Sequence, residues 1–291
     1  MADLLIQAAF SGLLVGAYYA LIALGLALVF GTMRVINLAH GEFVLLAAYV
    51  AYTLESSRAI NPVVALPLAI GVVTVISAVV YVLVARIHED RELNSLILTF
   101  GISIILANYM LMAWSADVHS TNFAWYHAPV DLASSVFSMR GEVLFAAASL
   151  ALVAGLWLWL GRSWYGRAVR AVAANRDAAG LMGIDPRLAE IVSFMVAGVL
   201  ASVAGLALYT TRVITPALGQ SITIKAFIIT VLAGMGSIPG VLVGAVLIGV
   251  VENLTVTFFS TALQELGGIV LFIVVLFLSP SGLFGKRSRR G

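Results

Sequence analysis

Seven stretches without a charged side chain set the limits on how this chain can fold. They begin after Asp3, Arg58, Glu92, Glu142, Glu190, Lys225 and Glu265 and run for 30, 27, 24, 19, 21, 26 and 20 residues. A bilayer core takes about 20 apolar residues as a helix, so each stretch is long enough to span. The composition agrees, because 62% apolar and 10% charged residues leave too little polar surface to cover a soluble domain, which carries about 25% charge. The expected fold is an all-α, polytopic integral membrane protein with a single transmembrane domain over residues 1–291. The first apolar run is too long for the core of a cleavable signal peptide and has no basic residue before Arg34, so it is expected to stay in the protein.

Two features disturb a simple count of spans. The run Phe43 to Leu54, between Glu42 and Glu55, holds 12 residues. That is about 18 Å of helix against a core of about 30 Å, so a half-helix or a re-entrant segment is expected. The 26-residue run contains Gly234, Gly236, Pro239 and Gly240, which oppose a continuous helix. If the chain turns there and crosses twice, Arg34, Arg86, Arg91, the five arginines from Arg162 to Arg187 and the tail lie on one side. The sixteen lysines and arginines then divide twelve to four, as the positive-inside rule requires, whereas a single crossing divides them evenly. Eight to nine membrane segments follow, with the N-terminus outside, the C-terminus inside, and two short arms of about 22 Å on either side of the turn. A cytoplasmic loop over 162–190 and a basic cytoplasmic tail over 286–291 complete the topology.

Helix breaks inside a membrane free backbone polar groups that only other helices or a wet cavity can satisfy. The two breaks, one near Asn37 to Gly41 and one at Gly234 to Gly240, fall in opposite halves of the chain, as in transporters built from two related halves. No direct sequence repeat stands out. Gly12 with Gly16, and Gly240 with Gly244 followed by Ala245 and Gly249, are small-residue stripes expected to pack helix against helix.

Much chemistry is excluded. With no cysteine, disulfides, thiolate metal sites and cysteine nucleophiles are impossible. Neither lysine sits in a P-loop, and His-Glu-x-x-His and Gly-x-Ser-x-Gly are absent. The four histidines have no metal-ligand spacing, so neither a metal nor a cofactor is expected, and no catalytic residue is assigned. A net charge of +2 offers nothing to nucleic acid. The long runs hold no ionisable residue for an ion-driven carrier, and Glu42 and Glu252 stand at the ends of short segments. Asn37, His40 and Glu42 beside the first break, and Glu252 with Asn253 at the second short arm, are therefore the candidates for lining a polar path through the membrane. In the loop, Arg167, Arg170, Asn175, Arg176 and Asp177 read as a short surface helix ending near Gly183, with Pro186 beyond. It could lie on the membrane or dock a cytoplasmic partner.

Several motifs together carry a family likeness. Asn37-Leu-Ala-His40-Gly41-Glu42-Phe43, the Arg167 to Gly183 loop with its Gly-Ile-Asp-Pro ending, Gly234-Met-Gly-Ser-Ile-Pro-Gly240, and Ser281-Gly-Leu-Phe-Gly285 resemble the branched-chain amino acid ABC permease family, H-type subunit. The resemblance runs from about Phe10 to Gly285. It implies a type II importer fold in the bacterial inner membrane, a second homologous permease subunit, two cytoplasmic ATPase subunits and a periplasmic substrate-binding protein. It also implies that the Arg167 to Gly183 loop is the coupling segment seated on an ATPase. Helix breaks at Gly41 and at Gly234 to Gly240 would flank the translocation path. Leucine, isoleucine and valine are the default substrates, with urea, short amides and aromatic or other carboxylic acids as alternatives. A secondary carrier or channel is the reading from a different class.

Overall fold

The computed structural model describes residues 1–133, 136–234 and 236–285. The basic tail 286–291 and Met235 therefore lie outside the described residues. Helix α1, Ala2–Met33, is followed by an irregular stretch and then α2, His40–Arg58; α3, Pro62–Ala85, and α4, Arg91–Trp114, complete the first half. A short helix α5, Ala124–His127, and a hairpin of β1, Pro129–Ala133, and β2, Val136–Met139, precede α6, Arg140–Arg162. Then come α7, Trp164–Ala174, and α8, Arg176–Leu181. The second half is α9, Pro186–Thr211, α10, Leu218–Ala233, α11, Ile238–Phe258, and α12, Gln264–Leu278.

The helices start and stop where local chemistry dictates. Asn61 and Asp185 accept hydrogen bonds from Val63 N and Arg187 N, with Pro62 and Pro186 in the first helical turn, where a missing N–H costs nothing. Ser237 does the same for Gly240 N and is followed by Pro239. The turn before α11 needs φ of +87° at Gly234 and +94° at Gly236, a region that glycine enters without strain. The chain thus does turn back at this point.

Among the described residues, seven segments are long and apolar enough to cross a membrane: α1, α3, α4, α6, α9, α11 and the stretch Thr261–Leu278 that contains α12. Helices α2 and α10 pack among them. The hairpin adds a small antiparallel sheet outside the helical body, with Val130 opposite Ser138 and Asp131 opposite Phe137.

Three expectations are corrected. The Phe43 to Leu54 run is the middle of α2, a buried helix of 19 residues, about 28 Å long, rather than a 12-residue half-helix. Glu42 and Glu55 read as its limits, yet both are buried inside the protein. Glu55 accepts from Thr121 Oγ1 at 2.7 Å, Asn122 N at 2.6 Å and Tyr209 Oη at 2.8 Å, so the helix runs through a satisfied carboxylate. The arms around the turn are unequal, 16 residues in α10 and 21 in α11. Glu252 and Asn253 therefore lie inside α11, not at the end of a short arm.

The third correction concerns symmetry. Arg34-Val-Ile-Asn-Leu-Ala-His-Gly-Glu42 and Arg212-Val-Ile-Thr-Pro-Ala-Leu-Gly-Gln220 share five of nine residues in register. Each leads from a long helix through an irregular stretch into a helix starting six residues after the arginine, α2 at His40 and α10 at Leu218. Packing repeats as well: α1 lies along α11 as α9 lies along α3, and the two pairs meet where α1 packs on α9 and α2 on α10. The halves are thus inverted copies, with α5, the hairpin and α6 to α8 between them. The small-residue stripes serve as expected, for a Cβ on Gly12, Gly16 or Gly249 would collide with the facing backbone of α11 or α1.

The two ends of the bundle differ in charge. Arg91 pairs with Glu190 at 3.5 Å, Tyr81 Oη donates to Arg187 O, and Phe284 lines one groove with Arg162 and Arg170, so the α3–α4 link, the loop 162–190 and the chain after α12 share one face. Among the described residues, Arg34, Arg86, Arg91 and the five loop arginines belong to it. Arg58, Arg140 and Arg212 lie at the other end with Gln7, the hairpin, and the bridge from His119 to Ile214.

Candidate functional site

Both interrupted helices begin halfway along their neighbours, which brings two helix N-termini together in the middle of the bundle. At the start of α2, His40 Nε2 lies 2.9 Å from Ile22 O, mid-way along α1. Gly41 N donates to Thr223 Oγ1 at 2.8 Å, and that hydroxyl also reaches Leu38 O and Gly219 O, joining α2 to the first turns of α10. Thr99 Oγ1 takes Leu38 N at 3.1 Å and lies 3.2 Å from Ile36 O, satisfying the irregular stretch from α4. The approach is so close that a Cβ on Gly41 would overlap Gly219 O.

Glu42 is placed at this junction. Its Oε1 accepts from Ser103 Oγ at 2.7 Å, and its Oε2, buried without a hydrogen-bond partner, lies over Gly219, where a side chain would displace it. It sits in the first turn of α2 and against the first turn of α10. Asn37 Oδ1 accepts from Ala39 N at 3.1 Å and shapes the approach to α2. Asn37, His40 and Glu42 are all buried, and none lines the cavities along α10 or the groove at the arginine-rich end.

The open surface lies on α10 instead. Ala217, Gln220, Ser221, Ile224 and Ile228 recur at helical spacing along a cavity of about 400 Å³, closed on its far side by Ile248, Gly268 and Ile269. A second cavity, of about 120 Å³, continues between α10 and Tyr18, Tyr19 and Ile22 of α1. Lys225, Ser221 and Glu265 face both. Lys225 Nζ lies 3.0 Å from Glu252 Oε1, 3.1 Å from Oε2 and 3.0 Å from Tyr19 Oη, and 4.8 Å from the centre of the Tyr19 ring. Glu252 Oε2 also accepts from Tyr19 Oη at 2.8 Å and Gln264 Nε2 at 3.2 Å. This network ties α1, α10, α11 and α12 together around a neutral ion pair. Glu265, exposed at the cavity mouth, takes one hydrogen bond from Ser221 Oγ at 2.8 Å.

Sequence reasoning placed Glu252 here but missed Lys225, Tyr19, Ser221, Gln264 and Glu265. Lys225 served only as the boundary of a charge-free run, so the spans were read as free of ionisable groups; in the folded chain Lys225 and Glu252 pair inside the bundle. A lone lysine between apolar residues was the available signal. Asn253 lies off the cavity and bonds Gly249 O of its own helix.

In the loop, two helices stand where one was expected, separated at Asn175, whose Oδ1 accepts from Ala178 N at 3.0 Å and starts α8. Gly183 carries the chain into α9 with φ of +81°. Arg176 is held within the chain, its Nε 2.9 Å from Glu190 Oε1, and that carboxylate pushes the guanidinium pKa further up. Arg167 and Arg170 are exposed and reach Arg162 O and Gly161 O. Asp177 lies in the first turn of α8, where the helix dipole favours a carboxylate. Beyond them Leu181 and Met182 project at 89% and 82% exposure, an apolar tip that sequence reasoning had overlooked.

Comparison with known proteins gives this arrangement its family. The permease protein LivH of a high-affinity branched-chain amino acid transport system from Salmonella typhimurium is 32% identical over 97% of this chain and 96% of its own. The corresponding permease protein BraD of Pseudomonas aeruginosa is 31% identical over the same shares. A ribose import permease protein of Escherichia coli is 27% identical over 80% of this chain and 73% of its own. No solved structure matches. Residues 8–279 match the family described as branched-chain amino acid transport system, permease component, and the chain belongs to that family of transport permeases.

Proposed function

We propose that this chain forms half of the translocation path of an ATP-binding cassette importer for leucine, isoleucine, valine or similar hydrophobic amino acids, and that the path runs along the open face of α10. A binding protein outside the membrane delivers the amino acid. A second permease subunit supplies the other wall, and two ATPase subunits drive the cycle from the basic face. That face is cytoplasmic by the positive-inside rule, and the membrane is the plasma, or inner, membrane. The chain itself catalyses no reaction in this reading.

The open helix face is the observation that carries it. Of the two helices that begin in mid-bundle, α2 is sealed by its neighbours, while α10 leaves Ala217, Gln220 and Ile224 exposed beside the Lys225–Glu252 pair. A zwitterion passing such a surface meets apolar wall for its side chain and a neutral pair for its charged ends. Transient contacts of this kind allow release, whereas tight binding would slow it. Asn37, His40 and Glu42 hold the junction behind α10. Leu181, Met182 and the exposed Arg167 form the surface offered to an ATPase.

Replacing Ile224 by Trp tests the path, since the larger side chain fills the cavity from its open side. Leucine uptake by the assembled importer should fall at least tenfold, with the ATPase subunits still co-purifying. Normal uptake by a fully assembled Ile224→Trp importer refutes the path along α10.

A further inference from the structure

On the basic face, a groove of about 940 Å³ opens between the end of α1, the last turns of α6, α7, and the turn into α11. Arg34, Arg162 and Arg170 converge on it from three elements, and no acidic residue lines it. The four ion pairs among the described residues use other basic side chains, which leaves these three guanidinium groups without a carboxylate within reach. Like charges gathered this way repel unless an anion joins them. Arg34 is held at the lip in the left-handed region, with φ of 56°, a conformation unfavourable for a side chain of its size. The N-terminus of α11, after Gly236 and Ser237, opens on the same groove and adds the positive end of a 21-residue helix.

The remaining wall is apolar. Phe30 and Phe284 lie in the groove, and Trp157, 58% exposed on the outer side of α6, lies where acyl chains would meet the protein. We propose that this groove binds an anionic phospholipid of the cytoplasmic leaflet, with its phosphate between Arg34, Arg162 and Arg170 and its acyl chains along Trp157. Guanidinium groups match phosphate through paired N–H donors, and basic pockets at this depth between membrane helices suit acidic headgroups. A soluble anion would make no use of the aromatic wall.

The test uses the assembled importer in phosphatidylcholine nanodiscs with a trace of photoreactive phosphatidylglycerol. Crosslinks should map to residues 157–162 and 236–239 and be competed by unlabelled phosphatidylglycerol, but not by added phosphatidylcholine or millimolar inorganic phosphate. Arg34→Gln and Arg170→Gln should each weaken competition about fivefold, the effect of roughly one charge at an acidic surface, while Arg58→Gln at the opposite face should leave it unchanged. Crosslinks elsewhere would overturn the proposal, as would equal competition by phosphatidylcholine, displacement by phosphate alone, or normal lipid affinity in both groove variants. The crosslink map needs no substitution, so it decides even if a variant fails to assemble.

Discussion

Lys225 and Glu252 hold opposite charges 3.0 Å apart, Glu252 buried and Lys225 partly so, and removing the lysine leaves the buried carboxylate without its counter-charge. Lys225→Met should destabilise the protein by about 3–5 kcal/mol, because it strands a buried carboxylate, and the double variant Lys225→Met with Glu252→Gln should recover most of the loss. Denaturation of the purified protein in detergent checks this, and a double variant as unstable as the single one would contradict it. The junction of α2 and α10 makes a second demand. A methyl at Gly41 would overlap Gly219 O, and one at Gly219 would overlap the Glu42 carboxylate. Gly41→Ala should therefore cost at least about 1–3 kcal/mol of overpacking and lower the amount of folded protein in the membrane, whereas Gly71→Ala, with open space around it, should be tolerated. Fluorescence-detected size exclusion of the two variants separates these outcomes.

At the scale of elements, the loop 162–190 divides its labour between a clamp and a tip. Glu190 fixes α8 through Arg176 and reaches Arg91, so charge reversal at Arg176 disturbs the permease itself before it disturbs any partner. Met182→Asp is the cleaner probe, for it alters only the exposed tip. It should leave the permease folded and abolish co-purification of the ATPase subunits; retention of both ATPases and of uptake would remove the tip from the interface. The loop's position and its Gly-Ile-Asp-Pro ending were legible in the sequence, as was the turn at Gly234 to Gly240, because glycine and proline act locally. Helix α2 was not, since Glu42 and Glu55 look like helix limits until Ser103, Thr121 and Tyr209 arrive from distant parts of the chain to satisfy them. The cavity on α10 was invisible for the same reason: it depends on which face the neighbours leave uncovered.

Over the whole molecule, two inverted halves place the starts of α2 and α10 against each other, yet only the second copy is open. Where the first carries Leu38, His40 and Glu42, the second carries Pro216, Leu218 and Gln220. The change from a buried carboxylate to an exposed amide accompanies the change from core to surface. The same geometry gathers eight arginines on one face among the described residues. A cysteine at Ser163 should accordingly resist an impermeant thiol reagent in intact cells and react after lysis. Passage of substrate along α10 can be measured directly because the chain has no native cysteine. Single cysteines at Gln220, Ile224 and Ile228, and at Phe43 and Ala47 of α2, would be exposed to a small hydrophilic thiol reagent in the assembled importer during turnover. If substrate passes along α10, the three on α10 react and block leucine uptake while the two on α2 stay unmodified; reaction on α2 with α10 unmodified, or full uptake after α10 is labelled, would rule out a path along α10.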